Sequence, residues 1–124
     1  MNITGVDFVI VPNQDIDRAV EFYGKELGWS VDHDTTVSPE LRFVQVTPPG
    51  SACSICFGRG LEMMPDGSRQ FIQVVVPDAD EALADLRERG IDCSDVDDQA
   101  WGRFVYFADP DGNRWAVQQI VIPS

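Results

Sequence analysis

Thr47-Pro48-Pro49-Gly50-Ser51, followed by Ala52-Cys53-Ser54-Ile55-Cys56-Phe57, recurs as Asp109-Pro110-Asp111-Gly112-Asn113, followed by Arg114-Trp115-Ala116-Val117-Gln118-Gln119. The second copy begins 62 residues after the first, half the length of a 124-residue chain. Upstream, Phe8 to Val11 and Asp15-Ile16-Asp17 answer Phe71 to Val74 and Asp78-Ala79-Asp80. In both places a Pro-x-Gly turn feeds a strand, because Pro presets φ and Gly accepts a positive φ. The chain therefore reads as one unit written twice.

Each copy has the same order of elements. Val6 to Val11 is β-rich and stopped by Pro12 and Asn13, so it reads as a strand. Asp15 can cap a helix whose apolar residues Ile16, Ala19, Val20, Tyr23 and Leu27 recur at helical spacing, with Gly28 as terminator. Trp29 to Asp32 and Leu41 to Thr47 read as strands around a polar loop, and Cys53 to Phe57 as a fourth strand. The second copy repeats this with a strand from Gln70 to Val76, a helix from Asp78 to Arg89, an acidic loop from Asp92 to Asp98, and strands from Arg103 to Phe107 and Asn113 to Val121. The expected fold is α+β: two βαβββ modules forming a cupped, barrel-like eight-stranded sheet with helices outside. It is one domain over 1–124, with module 1 at about 1–58, a Gly- and Pro-bearing linker at 59–68, and module 2 at about 69–124.

Bulk properties narrow the partners. The charge of −12 argues against nucleic acid and anionic membranes, which need a basic face, and leans toward a solvated acidic surface or a cationic ligand. No apolar run is long enough to cross a bilayer and no signal pattern opens the chain, so a cytoplasmic location is expected. Three cysteines do not suggest a disulfide framework. Cys53-Ser54-Ile55-Cys56 has C-x-x-C spacing, but on a strand residues three apart point to opposite faces about 10 Å apart, beyond disulfide reach.

The doubled pattern resembles the vicinal oxygen chelate superfamily of glyoxalases, extradiol dioxygenases, and fosfomycin- and bleomycin-resistance proteins. The resemblance rests on Asp15 to Tyr23 with Leu27-Gly28, on Asp78-Ala79-Asp80, and on Phe107 to Asn113. In metal-using members it implies a His seven residues before the helix-opening Asp and a Glu four residues after the turn Gly. Those positions here are Phe8 and Phe71, then Ser54 and Ala116. Two phenyl rings, a hydroxyl and a methyl make no ligand set for zinc or magnesium. No metal or other cofactor is expected. The D-x-D-x-N opening at Asp109 also lacks the Gly and Glu that a calcium loop requires.

The expected function is metal-independent binding of a small, planar or cationic organic molecule in a homodimer, like the bleomycin-resistance branch with its antibiotic sequestration. The resemblance implies that Phe8, Ser54, Phe71 and Ala116, which stand at the metal positions, floor a ligand-binding cavity; strand parity adds Gln73, Arg114 and Gln118 on that face, and Trp101 is an aromatic that suits either a pocket rim or the core. No catalytic residue is assigned. Alternatives are a metal-dependent lyase or dioxygenase using atypical ligands such as Asp7, and a metal-free enzyme.

Overall fold

Two short connectors set the geometry of the chain. Asp15 accepts a hydrogen bond from the Arg18 N–H, and Asp78 accepts from the N–H groups of Asp80 and Glu81, so each caps a helix just after a short edge strand. Such caps satisfy donors that the first helical turn leaves unpaired. In the computed structural model, residues 1–61 and 63–121 are described. They fall into two compact units that divide between Arg69 and Gln70.

In the first unit, strand β1 (Phe8–Ile10) leads to helix α1 (Ile16–Val20), which widens into a π-helical segment (Glu21–Glu26). Strands β2 (Ser30–Ser38), β3 (Leu41–Thr47) and β4 (Ser54–Arg59) follow, and the sheet order is β1-β4-β3-β2. The second unit has β5 (Phe71–Val75), α2 (Ala79–Glu88), β6 (Asp97–Gln99), β7 (Gly102–Ala108) and β8 (Arg114–Ile120), ordered β5-β8-β7-β6. Each sheet is mixed, parallel at β1–β4 and β5–β8 and antiparallel elsewhere. The α+β class and the βαβββ order stand. Hydrogen bonding joins four strands at a time, giving two four-stranded sheets and not one eight-stranded sheet.

Several sequence expectations shift. The polar loop expected after Asp32 is strand: β2 runs on to Ser38 and pairs with β3 through two register irregularities. The acidic loop contains β6, because Asp97 to Gln99 pair with Gly102 to Phe104. Strand β4 continues through Gly58 and Arg59 into the expected linker. The first helix is not α-helical throughout; Leu27 N–H bonds to the Phe22 carbonyl, five residues back.

One face of each sheet carries the core. Under α1 lie Val44, Val46, Ile55 and Phe57, all at 2% exposure or less, and Tyr23 packs its ring 5.8 Å from that of Phe57. In the second unit α2 packs on β7 and β8. Trp115, 1% exposed, stacks on Phe107 with rings 6.0 Å apart.

The duplication extends to an ion-pair clamp. Arg42 on β3 reaches Asp17 of α1 at 2.7 Å and Asp34 of β2 at 3.0 Å. Arg103 on β7 reaches Asp80 of α2 at 2.8 Å and Asp98 of β6 at 2.7 Å. The Asp-x-Asp motif of each copy thus supplies both a helix cap and an anchor from helix to strand.

Candidate functional site

The Asp109–Asn113 turn belongs to the scaffold. Asp109 Oδ1 accepts from the N–H groups of Asp111 (3.0 Å) and Asn113 (2.9 Å), and Asn113 Nδ2 donates to Oδ2 at 2.8 Å. Asn113 Oδ1 accepts from the Gln70 N–H at 2.9 Å, tying the turn to the start of β5. Gly112 has φ of 89°, the left-handed conformation the turn needs. This carboxylate is committed to donors of its own turn.

Register sorts the remaining candidates onto the sheet faces that their helices leave free. In the first unit Phe8 lies opposite Ser54 and Ile10 opposite Cys56. In the second, Phe71 lies opposite Arg114, Gln73 opposite Ala116 and Val75 opposite Gln118. The counted metal positions are therefore direct cross-strand neighbours only in the first unit. Phe71 and Ala116 are offset by a two-residue step. Three residues, Pro12 to Gln14, separate Val11 from its helix cap, but only Pro77 separates Val76 from Asp78. Counting back from the cap carries that difference into the strand.

Neither ladder offers a metal set. The side chains at these positions are phenyl, alkyl, hydroxyl, amide and guanidinium groups, with one thiol, that of Cys56. Among the described residues no three His, Cys, Asp or Glu side chains converge. His33, in the middle of β2, is exposed and lies against Phe43, their rings 6.4 Å apart. Cys56 is fully buried, and burial pushes its thiol up to about 11, with Asp7 adding to the effect. Buried thiols of this kind are inert.

The second unit holds most of the expected set on one face. Phe71 is 56% exposed and Trp101, beside Gly102 at the turn between β6 and β7, is 62% exposed. Ala116, Gln118 and their neighbour Phe104 lie beneath that layer, at 8% exposure or less. Gln118 is engaged at both ends of its amide: Nε2 donates to the Trp101 carbonyl at 3.2 Å, and Oε1 accepts from Gln73 Nε2 at 2.5 Å. The Arg114 side chain is exposed and makes no hydrogen bond or ion pair with a described residue. Tyr106, opposite Ala116, stacks on Phe104 and donates its hydroxyl to Asp97 at 3.2 Å. Burial raises its pKa, the Asp97 bond adds to this, and the charge of Arg114 opposes it.

In the first unit, Phe8 and buried Ser54 occupy the free face with residues that sequence reasoning did not single out. Phe8 meets Phe43 edge-on at 6.2 Å. Ser30 and Thr47 both donate to the Asp32 carboxylate, and these bonds lower its pKa, Thr47 most. Because the Thr47 proton is spent there, Ser54 must donate in its 2.6 Å contact with Thr47. Gln45 Nε2 then donates to Ser54 Oγ at 3.3 Å. The alternation of Phe43, Gln45 and Thr47 with Val44 and Val46 was the available signal. In β7 no such signal exists, since Phe104, Val105, Tyr106 and Phe107 are apolar or aromatic on both faces.

Fold and faces together define a duplicated βαβββ protein whose free sheet faces carry aromatic and polar side chains. The chain belongs to the Glyoxalase/Bleomycin resistance protein/Dioxygenase superfamily, whose model matches residues 5–117. It is similar to TnmS3, an antibiotic binding protein from Streptomyces sp. CB03234, with 31% identity, 98% of this chain and 99% of that chain covered, and a TM-score of 0.84. A superfamily member from Sphaerobacter thermophilus DSM 20745 is 30% identical, covering 94% of this chain and 98% of its own, at a TM-score of 0.78. YetH of Bacillus subtilis (strain 168) is 23% identical over 121 residues, 94% of this chain and 99% of that protein. No helix among the described residues is long and apolar enough to cross a membrane.

Proposed function

We propose that this chain binds a small, planar organic molecule without a metal, through the free face of the second sheet, and so sequesters it. The observation that carries the reading is an exposed Phe71 whose cross-strand neighbour, Arg114, makes no hydrogen bond or ion pair with a described residue. An exposed ring gives stacking area, and a cation beside it gives orientation. Phe71, Gln73, Trp101 and Arg114 are the contact residues. Ala116 and Gln118 support that layer from beneath. The likeness to an antibiotic binding protein at 31% identity supports small-molecule binding over an unrelated use of the fold.

The proposal includes a homodimer acting in the cytoplasm. Exposed Phe71, Val75 and Ile120 form apolar surface of the kind that pairing or ligand covers. Light scattering should return twice the 13.8 kDa chain mass. A thermal-shift screen of planar aromatic compounds, with and without a chelator, tests the binding reading. A ligand at 100 times its dissociation constant adds about 2.7 kcal/mol of stability. Stabilisation by a divalent ion alone would favour a metal-dependent lyase or dioxygenase instead.

A further inference from the structure

The polarity of two glutamine amides specifies the chemistry of the ligand. A backbone carbonyl can only accept, so the Trp101 carbonyl fixes which end of Gln118 is its NH2 group. Gln118 Oε1 therefore faces Gln73, and must receive the Gln73 NH2 group. The Gln73 carbonyl oxygen is left without a hydrogen bond to any described residue, on an exposed side chain. An unfilled acceptor thus stands on the same face as the unpaired guanidinium of Arg114, which is donor-only.

The spacing of these two groups follows from the ladder. Gln73 is one same-face step along β5 from Phe71, and Arg114 is on the neighbouring strand opposite Phe71. Their α-carbons are therefore about 8 Å apart, from a same-face step of about 6.6 Å and a strand spacing of about 4.8 Å. Phe71 flanks both. Ala116 lies opposite Gln73 and next on the same face after Arg114, and its methyl keeps that place low. The first sheet repeats the logic: Asp32 fixes Thr47, Thr47 fixes Ser54, and Gln45 spends its NH2 group on Ser54.

We infer that the second sheet selects planar aromatic molecules carrying a carboxylate or similar oxyanion for Arg114 and a hydroxyl or N–H donor for the Gln73 carbonyl. The inference rests on the binding reading above and names its ligand class. It also reverses the sign suggested by the net charge: Arg114 offers a cation, while Asp97, at the β6 edge of this face, already accepts from Tyr106 and Gln99.

Three probes test it by calorimetric titration: 6-hydroxy-2-naphthoate, its 6-methoxy analogue, and 2-naphthol. The hydroxy acid should bind about tenfold more tightly than either analogue, since each lacks one hydrogen-bonding group. In Arg114→Met, an exposed position that leaves the core intact, the hydroxy acid should fall to the affinity of 2-naphthol. Equal binding of all three probes to the native protein, unchanged in Arg114→Met, would overturn the ligand class while leaving planar binding in place. Binding of none of them would overturn the binding reading itself, and the inference with it.

Discussion

Arg42 and Arg103 hold equivalent places in the two copies, each bridging an aspartate of the helix to an aspartate of the adjacent edge strand. The arginines keep Asp34 and Asp80 below the usual carboxylate range. A carboxylate whose folded pKa is depressed contributes stability above its unfolded value, about 3.9, and loses it as pH falls through the folded value. Denaturant midpoints should therefore be flat near neutral pH and fall below about pH 4. Arg42→Met should cost about 1 kcal/mol at pH 7 and make the acid limb shallower. An unchanged acid limb would show that the clamp contributes nothing in solution.

Gly102 is a site where one methyl group should be felt. A Cβ there would lie 2.7 Å from Nε2 of Gln118 and 3.0 Å from the Gln119 carbonyl oxygen. The backbone oxygen cannot swing away. Gly102→Ala should destabilise by about 1–3 kcal/mol and disturb the Gln118 bond to Trp101, visible as a change in tryptophan emission. A variant with native stability and emission would mean that the contact is looser than described.

Asn113 connects the duplicated turn to β5 and is 0% exposed. Asn113→Ala removes the acceptor for the Gln70 N–H and a donor to Asp109. Losing these two bonds inside the turn should cost about 1–3 kcal/mol, measured by urea unfolding. A loss below a few tenths would show that water replaces the side chain at no cost.

Cys56 should resist alkylation in the folded protein. Its thiol is pushed up to about 11 by burial, so little thiolate exists at pH 8. Brief iodoacetamide treatment followed by peptide mass spectrometry should find label on the partly exposed Cys53 and Cys93 before Cys56. Early labelling of Cys56 would contradict its burial.

The repeat made the order of elements readable, because the turn chemistry at Pro48-Pro49-Gly50 and Pro110-Asp111-Gly112 and the Asp15 and Asp78 caps are local signals. Face assignment on β5 and β8 was readable too, since Gln73, Arg114 and Gln118 follow from parity with Phe71 and Ala116. Register was not. A connector of three residues in one copy and one in the other moves Ala116 opposite Gln73 instead of Phe71, and nothing local reports it. Strand β2 extends beyond what its sequence signals because His33 to Ser38 is polar, and an edge strand exposed on most of its length gives no apolar alternation. The polar chain from Gln45 to Asp32 depends on cross-strand pairs, which a single sequence does not reveal.

The proposed function places a planar molecule on the β5–β8–β7 face without a metal. Amide NMR of chelator-treated protein titrated with 6-hydroxy-2-naphthoate tests it most directly. Saturable shifts should centre on Phe71, Gln73, Trp101 and Arg114, weaken in Arg114→Met and be unaffected by added zinc or magnesium. Shifts confined to other residues, or appearing only when a divalent ion is present, would contradict it.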